Sequence, residues 1–281
     1  MLGAAEIRGR RVVVATDGFY AYDLGDLVSV DVGIALAEPL TSFAVCDDYF
    51  FAGYEYGVEY LPLTDAVTGG RIDAGWIEMA ATPDCALVGG LAGQLEWVRL
   101  GDGRYGDRNV TAPYGNEVGV VRAGAYLYFM STDDAAVRWD VIGGEGRTFG
   151  FWSPPARPTA LYADETVVVG TDLGDFLSFG VVENAPDEAG SVRKGQIPGG
   201  DPDAYDDPGV VDIADYGSGY VYVAPVDIGV WDDSEVPCAP QVTSAEQRAG
   251  AEITAVVSLD VDHVAVHAGD EVHILQAEVP R

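Results

Sequence analysis

Histidines, clustered carboxylates and one isolated basic pair are the residues of this chain whose types and spacing bear on chemistry. All three histidines, His263, His267 and His273, fall in one short stretch. Imidazoles beside acids such as Asp262 or Glu271 are the donor set of a transition-metal site. On a strand, however, residues four apart share a face but lie more than about 10 Å from each other, given a rise of about 3.3 Å per residue. His263 and His267 are therefore not expected to hold one ion together. The acidic runs Asp47-Asp48, Asp133-Asp134 and Asp232-Asp233 offer the oxygen donors that calcium prefers, as does the loop DPDAYDDPG with Asp201, Asp203, Asp206 and Asp207. None has the spacing of an EF-hand loop, and on a chain with 46 acids such clusters arise readily as solvated surface. No cofactor or metal is expected, with calcium at Asp201, Asp203, Asp206 and Asp207 as the candidate to test.

The basic pair is Arg193-Lys194, the sole adjacent one besides Arg10-Arg11, and Lys194 is the sole lysine. It falls in residues 184–209, a stretch rich in Gly, Pro and Asp that reads as an insertion loop. Long loops on a rigid scaffold are where binding residues collect, and aromatic side chains at loop ends anchor interfaces. Arg193, Lys194, Tyr205 and Trp231 are accordingly the candidate binding residues.

Catalytic motifs are missing. Tyr216-Gly217-Ser218-Gly219 lacks the first glycine of a nucleophile elbow, and no HExxH, GK[ST] or strand-linked GxGxxG occurs. Paired carboxylates for glycoside chemistry would come from distant segments and cannot be located from spacing. A non-catalytic protein is expected. Cys46, Cys85 and Cys238, odd in number and without CxxC spacing, are expected to be small buried hydrophobes, neither a disulfide framework nor a zinc site.

Fifteen basic residues against 46 acidic ones give a formal charge of -31. Such a surface repels itself in dilute buffer, whereas molar salt shortens the Debye length to about 3 Å and removes most of the repulsion. The composition resembles that of haloarchaeal proteins. It also argues against nucleic-acid binding, which draws on a basic face. No run of apolar residues is long enough for a membrane-spanning helix, and the opening MLGAAEIRGRR lacks the pattern of a signal peptide.

The elements that must position these residues recur. The stretch LTSFAVCDDYFFAGYEYGVEYLPLTD, from Leu40 to Asp65, alternates apolar and polar residues in three runs separated by tight turns, the pattern of three antiparallel strands. Its central run has counterparts starting at Val12, Cys85, Tyr126, Thr166, Tyr220 and His263, mostly about 36 to 43 residues apart, the period of a four-stranded propeller blade. Each is preceded by an alternating inner strand, for which Ala4 to Arg8 serves the first unit. Each is followed by a third strand and by a less apolar outer segment such as Leu27 to Ile34 or Gly146 to Trp152. Helical periodicity is confined to Ser244 to Glu252.

The repeat resembles seven-bladed β-propellers of the WD-repeat and related kinds, with Trp139-Asp140 and Trp231-Asp232 near the third-strand position of the WD dipeptide. The resemblance implies an all-β chain, one seven-bladed β-propeller of four-stranded antiparallel blades. Blades are expected over residues 1–36, 37–74, 75–114, 115–156, 157–206, 207–250 and 251–281. Two closures remain open: residues 1–8 complete the last blade, or the last blade keeps three strands. An acidic propeller without catalytic motifs resembles a structural protein of a haloarchaeal virus, in capsid decoration, a turret or a tail. The partners implied are virion proteins or a host surface glycoprotein, or further copies of the chain, with no nucleic acid and no membrane insertion. The alternative is a cytoplasmic scaffold or an enzyme of a halophilic archaeon with its site in the central funnel.

Overall fold

The computed structural model describes residues 2–73, 78–82, 85–91, 94–99, 104–105, 110–111, 117–123, 126–131, 135–140, 145–151, 158–163, 166–172, 175–180, 193–196, 209–216, 219–224, 227–232, 252–260 and 262–276. The regular structure among them is all strand. The first sheet holds β1 (Gly3–Ile7), β2 (Arg10–Ala15), β3 (Gly18–Asp23) and β4 (Asp26–Ser29). The second holds β5 (Ser42–Val45), β6 (Tyr49–Tyr54), β7 (Gly57–Pro62) and β8 (Gly70–Ile72). In the third, β9 (Glu78–Ala81), β10 (Ala86–Leu91) and β11 (Gln94–Arg99) are edged by β12 (Arg104–Tyr105) and β13 (Val110–Thr111), both paired with β11. The fourth is β14 (Glu117–Ala123), β15 (Tyr126–Ser131), β16 (Ala135–Asp140) and β17 (Glu145–Phe151). The fifth is β18 (Pro158–Ala163), β19 (Thr166–Thr171), β20 (Asp175–Gly180) and β21 (Arg193–Gln196). Two three-stranded sheets follow: β22 (Asp212–Tyr216), β23 (Gly219–Ala224) and β24 (Asp227–Asp232), then β25 (Ile253–Ser258), β26 (His263–Ala268) and β27 (Glu271–Gln276). Every pairing between neighbouring strands is antiparallel.

The first strand of each sheet lies beside the first strand of the next, and β25 of the last sheet lies beside β1 of the first. Apolar side chains explain the stacking. Second strands are apolar on both faces where both faces are covered, as β6 shows. Phe50 and Phe51, consecutive on β6 and both fully buried, point to opposite faces. Phe50 joins Val12, Val14 and Phe19 of the first sheet, while Phe51 joins Met79, Ala81 and Leu87 of the third. On the transfer scale each such side chain contributes about 2 to 3 kcal/mol. Val13 turns the other way from Val12 and Val14, onto Val257, Leu259 and Ala265 of the last sheet. Analogous clusters join the fifth sheet to the sixth through Val168 and Tyr222, and the sixth to the seventh through Val221 and Val264.

Four sequence expectations meet this structure. The strand β1 is the inner strand of the first sheet, and the last sheet shows three strands among the described residues, which favours the second of the two closures. The outer strand expected over Leu27 to Ile34 is shorter. After Ser29 the chain turns, the Asp31 carboxylate accepting the Gly33 N–H at 2.7 Å and Gly33 taking φ +69°. Residues 184–209 are not loop throughout, since Arg193–Gln196 supplies β21. Finally, Cys46 and Cys85 are not free apolar side chains: they form a disulfide between the second and third sheets, with Cα atoms 5.2 Å apart. The sequence reading of the cysteines is corrected on that point. The Ser244 to Glu252 segment, but for Glu252, and Cys238 lie outside the described residues.

Candidate functional site

Each sheet begins with its inner strand, and the turns from inner to second strand of the first two sheets lie at one end of those sheets. There β1, β5 and β9 line a cavity of about 710 Å³. Its walls are made from small and apolar side chains, Ala4, Ala5, Ala44, Ala80 and Ala81 with Phe43, Val45 and Met79. Alanine recurs here because three inner strands converge and larger side chains would fill the space. Among the described residues its charged side chains are Glu6, Arg8 and Asp47, all three exposed. Arg8 is held in place, its guanidinium donating to the Val32 carbonyl at 3.0 Å and the Leu63 carbonyl at 3.2 Å. Among the described residues no histidine lines this cavity, and Thr64 is its one hydroxyl side chain, lying 3.4 Å from the Asp48 carboxylate. The arrangement is an open cleft that presents both polar and apolar surface.

A second polar cluster joins the sixth and seventh sheets to the first. Arg11 donates to the Ser258 carbonyl at 3.1 and 3.2 Å and lies 3.6 Å from the Asp215 carboxylate. Asp212, at the head of β22, accepts the N–H of Ile213 and, across the sheet boundary, the N–H of Val256, both at 2.9 Å. Burial pushes its carboxyl up to about 6, against the downward pull of those two donors. A carboxylate reaching a neighbouring sheet's backbone in this way is first a structural tie.

The histidines do not converge. In the β26–β27 register His263 faces Gln276 and His267 faces Val272, whereas His273 faces Val266 and so lies on the opposite side of the sheet. Each has its own partner. The His263 Nδ1 lies 2.9 Å from Asp260, and its ring packs on Tyr22 of the first sheet at 4.8 Å. Burial raises the Asp260 carboxyl, but the Asp262 N–H and His263 outweigh it and hold the group below its ordinary value. The His267 Nδ1 meets the Thr254 hydroxyl at 2.8 Å, and burial lowers its imidazole pKa. His273 lies 3.5 Å from Glu271. Among the described residues no group of three or more metal-ligating side chains is assembled.

The candidate binding residues that are described fall on two sheets. Arg193 and Lys194 lie in β21, opposite Ser178 and Leu177 of the fifth sheet, while Trp231 lies in β24 of the sixth, opposite Tyr220. Tyr205 and the carboxylates Asp201, Asp203, Asp206 and Asp207 fall outside the described residues. The sequence reading passed over the disulfide and Asp212. Cys46 and Cys85 stand 39 residues apart, one repeat period, and that coincidence was the available signal. For Asp212 there was none, because its partner belongs to another unit.

No helix among the described residues is long and apolar enough to cross a membrane. No protein-family model matches the chain, and no curated protein is similar to it. Solved structures are similar in fold. The β-propeller domain of Cps50 (Swd1) from Myceliophteria thermophila superposes with a TM-score of 0.65 at 12% identity, over 99% of this chain and 98% of that one. The WD40 repeats of RRP9 give 0.65 at 10% identity, over 94% and 84%. The computationally designed Ika8 protein gives 0.63 at 17% identity, over 98% and 82%. At these identities the likeness concerns the fold: this chain is an all-β protein of antiparallel sheets, largely four-stranded, built like WD40-type β-propellers.

Proposed function

We propose that the chain is a single seven-bladed β-propeller acting as a non-catalytic binding module for other proteins in high salt. The observation that carries this reading is the stacking of the sheets. Inner strands succeed one another and return from β25 to β1, so that the sheets are arranged around one another as the blades of a propeller are. Propeller architecture alone hosts many functions, so what the surface offers matters as well. It carries the alanine-walled cavity with its charged rim, and side chains such as Tyr56, 73% exposed at the β6–β7 turn, stand clear of the core. Such turn-borne groups fit macromolecular contact better than proton transfer.

The charge of -31 supports a partner met in concentrated salt, where apolar and hydrogen-bonded contacts outlast long-range repulsion. Placement on a haloarchaeal virus particle, against virion proteins or a host surface glycoprotein, is the narrower form of this proposal. It rests on charge and the lack of catalytic motifs. A density gradient in molar salt tests it: stoichiometric co-sedimentation with particles supports the virion role, whereas a species of roughly 30 kDa left at the top removes it.

A further inference from the structure

We propose that the Cys46–Cys85 bridge is a structural staple closed in an oxidising compartment, so that this protein works outside a reducing cytosol. Three observations converge. The two sulfurs lie in the apolar core between the second and third sheets, among Ala44, Phe51, Met79 and Leu87, and both residues are at least 95% buried. The Cα atoms stand 5.2 Å apart, within the range a disulfide spans without backbone movement. Cys85 also holds φ +61°, the left-handed region, at the turn between β9 and β10. Glycine is the ordinary residue for that conformation at a hairpin's end. A side chain with a Cβ persists there only when its surroundings over-determine the backbone. Here the Cys85 N–H bonds the Thr82 carbonyl at 3.0 Å, the Ala86 N–H bonds the Thr82 hydroxyl at 3.1 Å, and the sulfur reaches across to Cys46.

A buried apolar thiol needs no left-handed backbone, and valine or alanine would fill the same space. A cross-link explains why cysteine stands at this position. Closing it converts two thiols to one disulfide with loss of two protons and two electrons. The electrons pass to an oxidant of the disulfide class, itself reduced to two thiols by exchange. Disulfides of this buried, structural kind persist at cell and virion surfaces and are rare where glutathione and thioredoxin keep thiols reduced.

The test begins with the protein from the organism that makes it, its thiols trapped by acid and alkylated under denaturing conditions without reductant. Peptide mapping is expected to find the Cys46 and Cys85 segments joined; both alkylated and separate would overturn the proposal. A parallel preparation trapped from a reducing bacterial cytosol is expected to show free thiols at both positions. A bridge complete in that cytosol would sink the inference about compartment. For the staple itself, a Cys46→Ser/Cys85→Ser variant is expected to unfold at a lower denaturant midpoint than the oxidised chain. Should the variant not fold, the unsubstituted chain refolded with and without dithiothreitol gives the same comparison. Equal midpoints would overturn the structural role.

Discussion

Asp212 carries a carboxyl that burial holds above its ordinary value. Its folded-state value of about 6 stands above the value near 4 of an unfolded aspartate. Between these values the native chain binds the extra proton, so the contribution is complete below pH 4 and is lost as pH rises to 6. The span amounts to about 2 to 3 kcal/mol. An Asp212→Asn variant is expected to lack that decline relative to the parent, measured as the unfolding midpoint from pH 4 to pH 7; parallel curves would contradict the assignment. Phe50 is the complementary case, an apolar side chain with no freedom to collapse into a neighbour. It packs edge-on to Phe19 at 5.3 Å and parallel to Phe43 at 6.0 Å. Phe50→Ala is expected to cost about 3 to 5 kcal/mol, read as a fall in urea midpoint with unchanged slope.

At the scale of the elements, period-two alternation located nearly every strand, because a sheet covered on one or both faces writes its burial directly into its residues. The template at Leu40 to Asp65 is β5, β6 and β7. Outer strands were less legible: β4 stops at Ser29 because of an Asp31 turn, and β21 arises within a stretch whose Gly, Pro and Asp content reads as loop. Contacts between units were hardest to see. The Asp212 bond to Val256 and the Arg11 bonds to Ser258 join residues that no local pattern relates. The surroundings of His263 were half legible, since Asp260 stands three residues away in the same sheet whereas Tyr22 comes from the first sheet. Arg11 tests that kind of contact. It is about half exposed, so its ion pair with Asp215 counts for little, but its two bonds to the Ser258 carbonyl cross from first sheet to last. Arg11→Ala is expected to cost about 1 kcal/mol and to speed amide exchange in β25 more than in β6.

Over the whole molecule, charge sets the conditions of stability. With 46 acids against 15 bases the folded surface repels itself, and the Debye length falls from about 10 Å at 0.1 M salt to about 3 Å at 1 M. The thermal midpoint is expected to climb by several degrees between those concentrations and to level off above them; a midpoint indifferent to salt would mean that the acids are locally compensated. The disulfide acts at this scale too, but along the chain. It makes residues 46 to 85 a covalent loop that tension on the two ends cannot draw out. A molecule pulled to full extension should therefore fall short by about 13 nm, the reach of the chain across the sequence separation of 39 between the cysteines. Reductant would return that length, so β6, β7 and β8 of the second sheet and β9 of the third lie in the part of the chain that force alone cannot draw out.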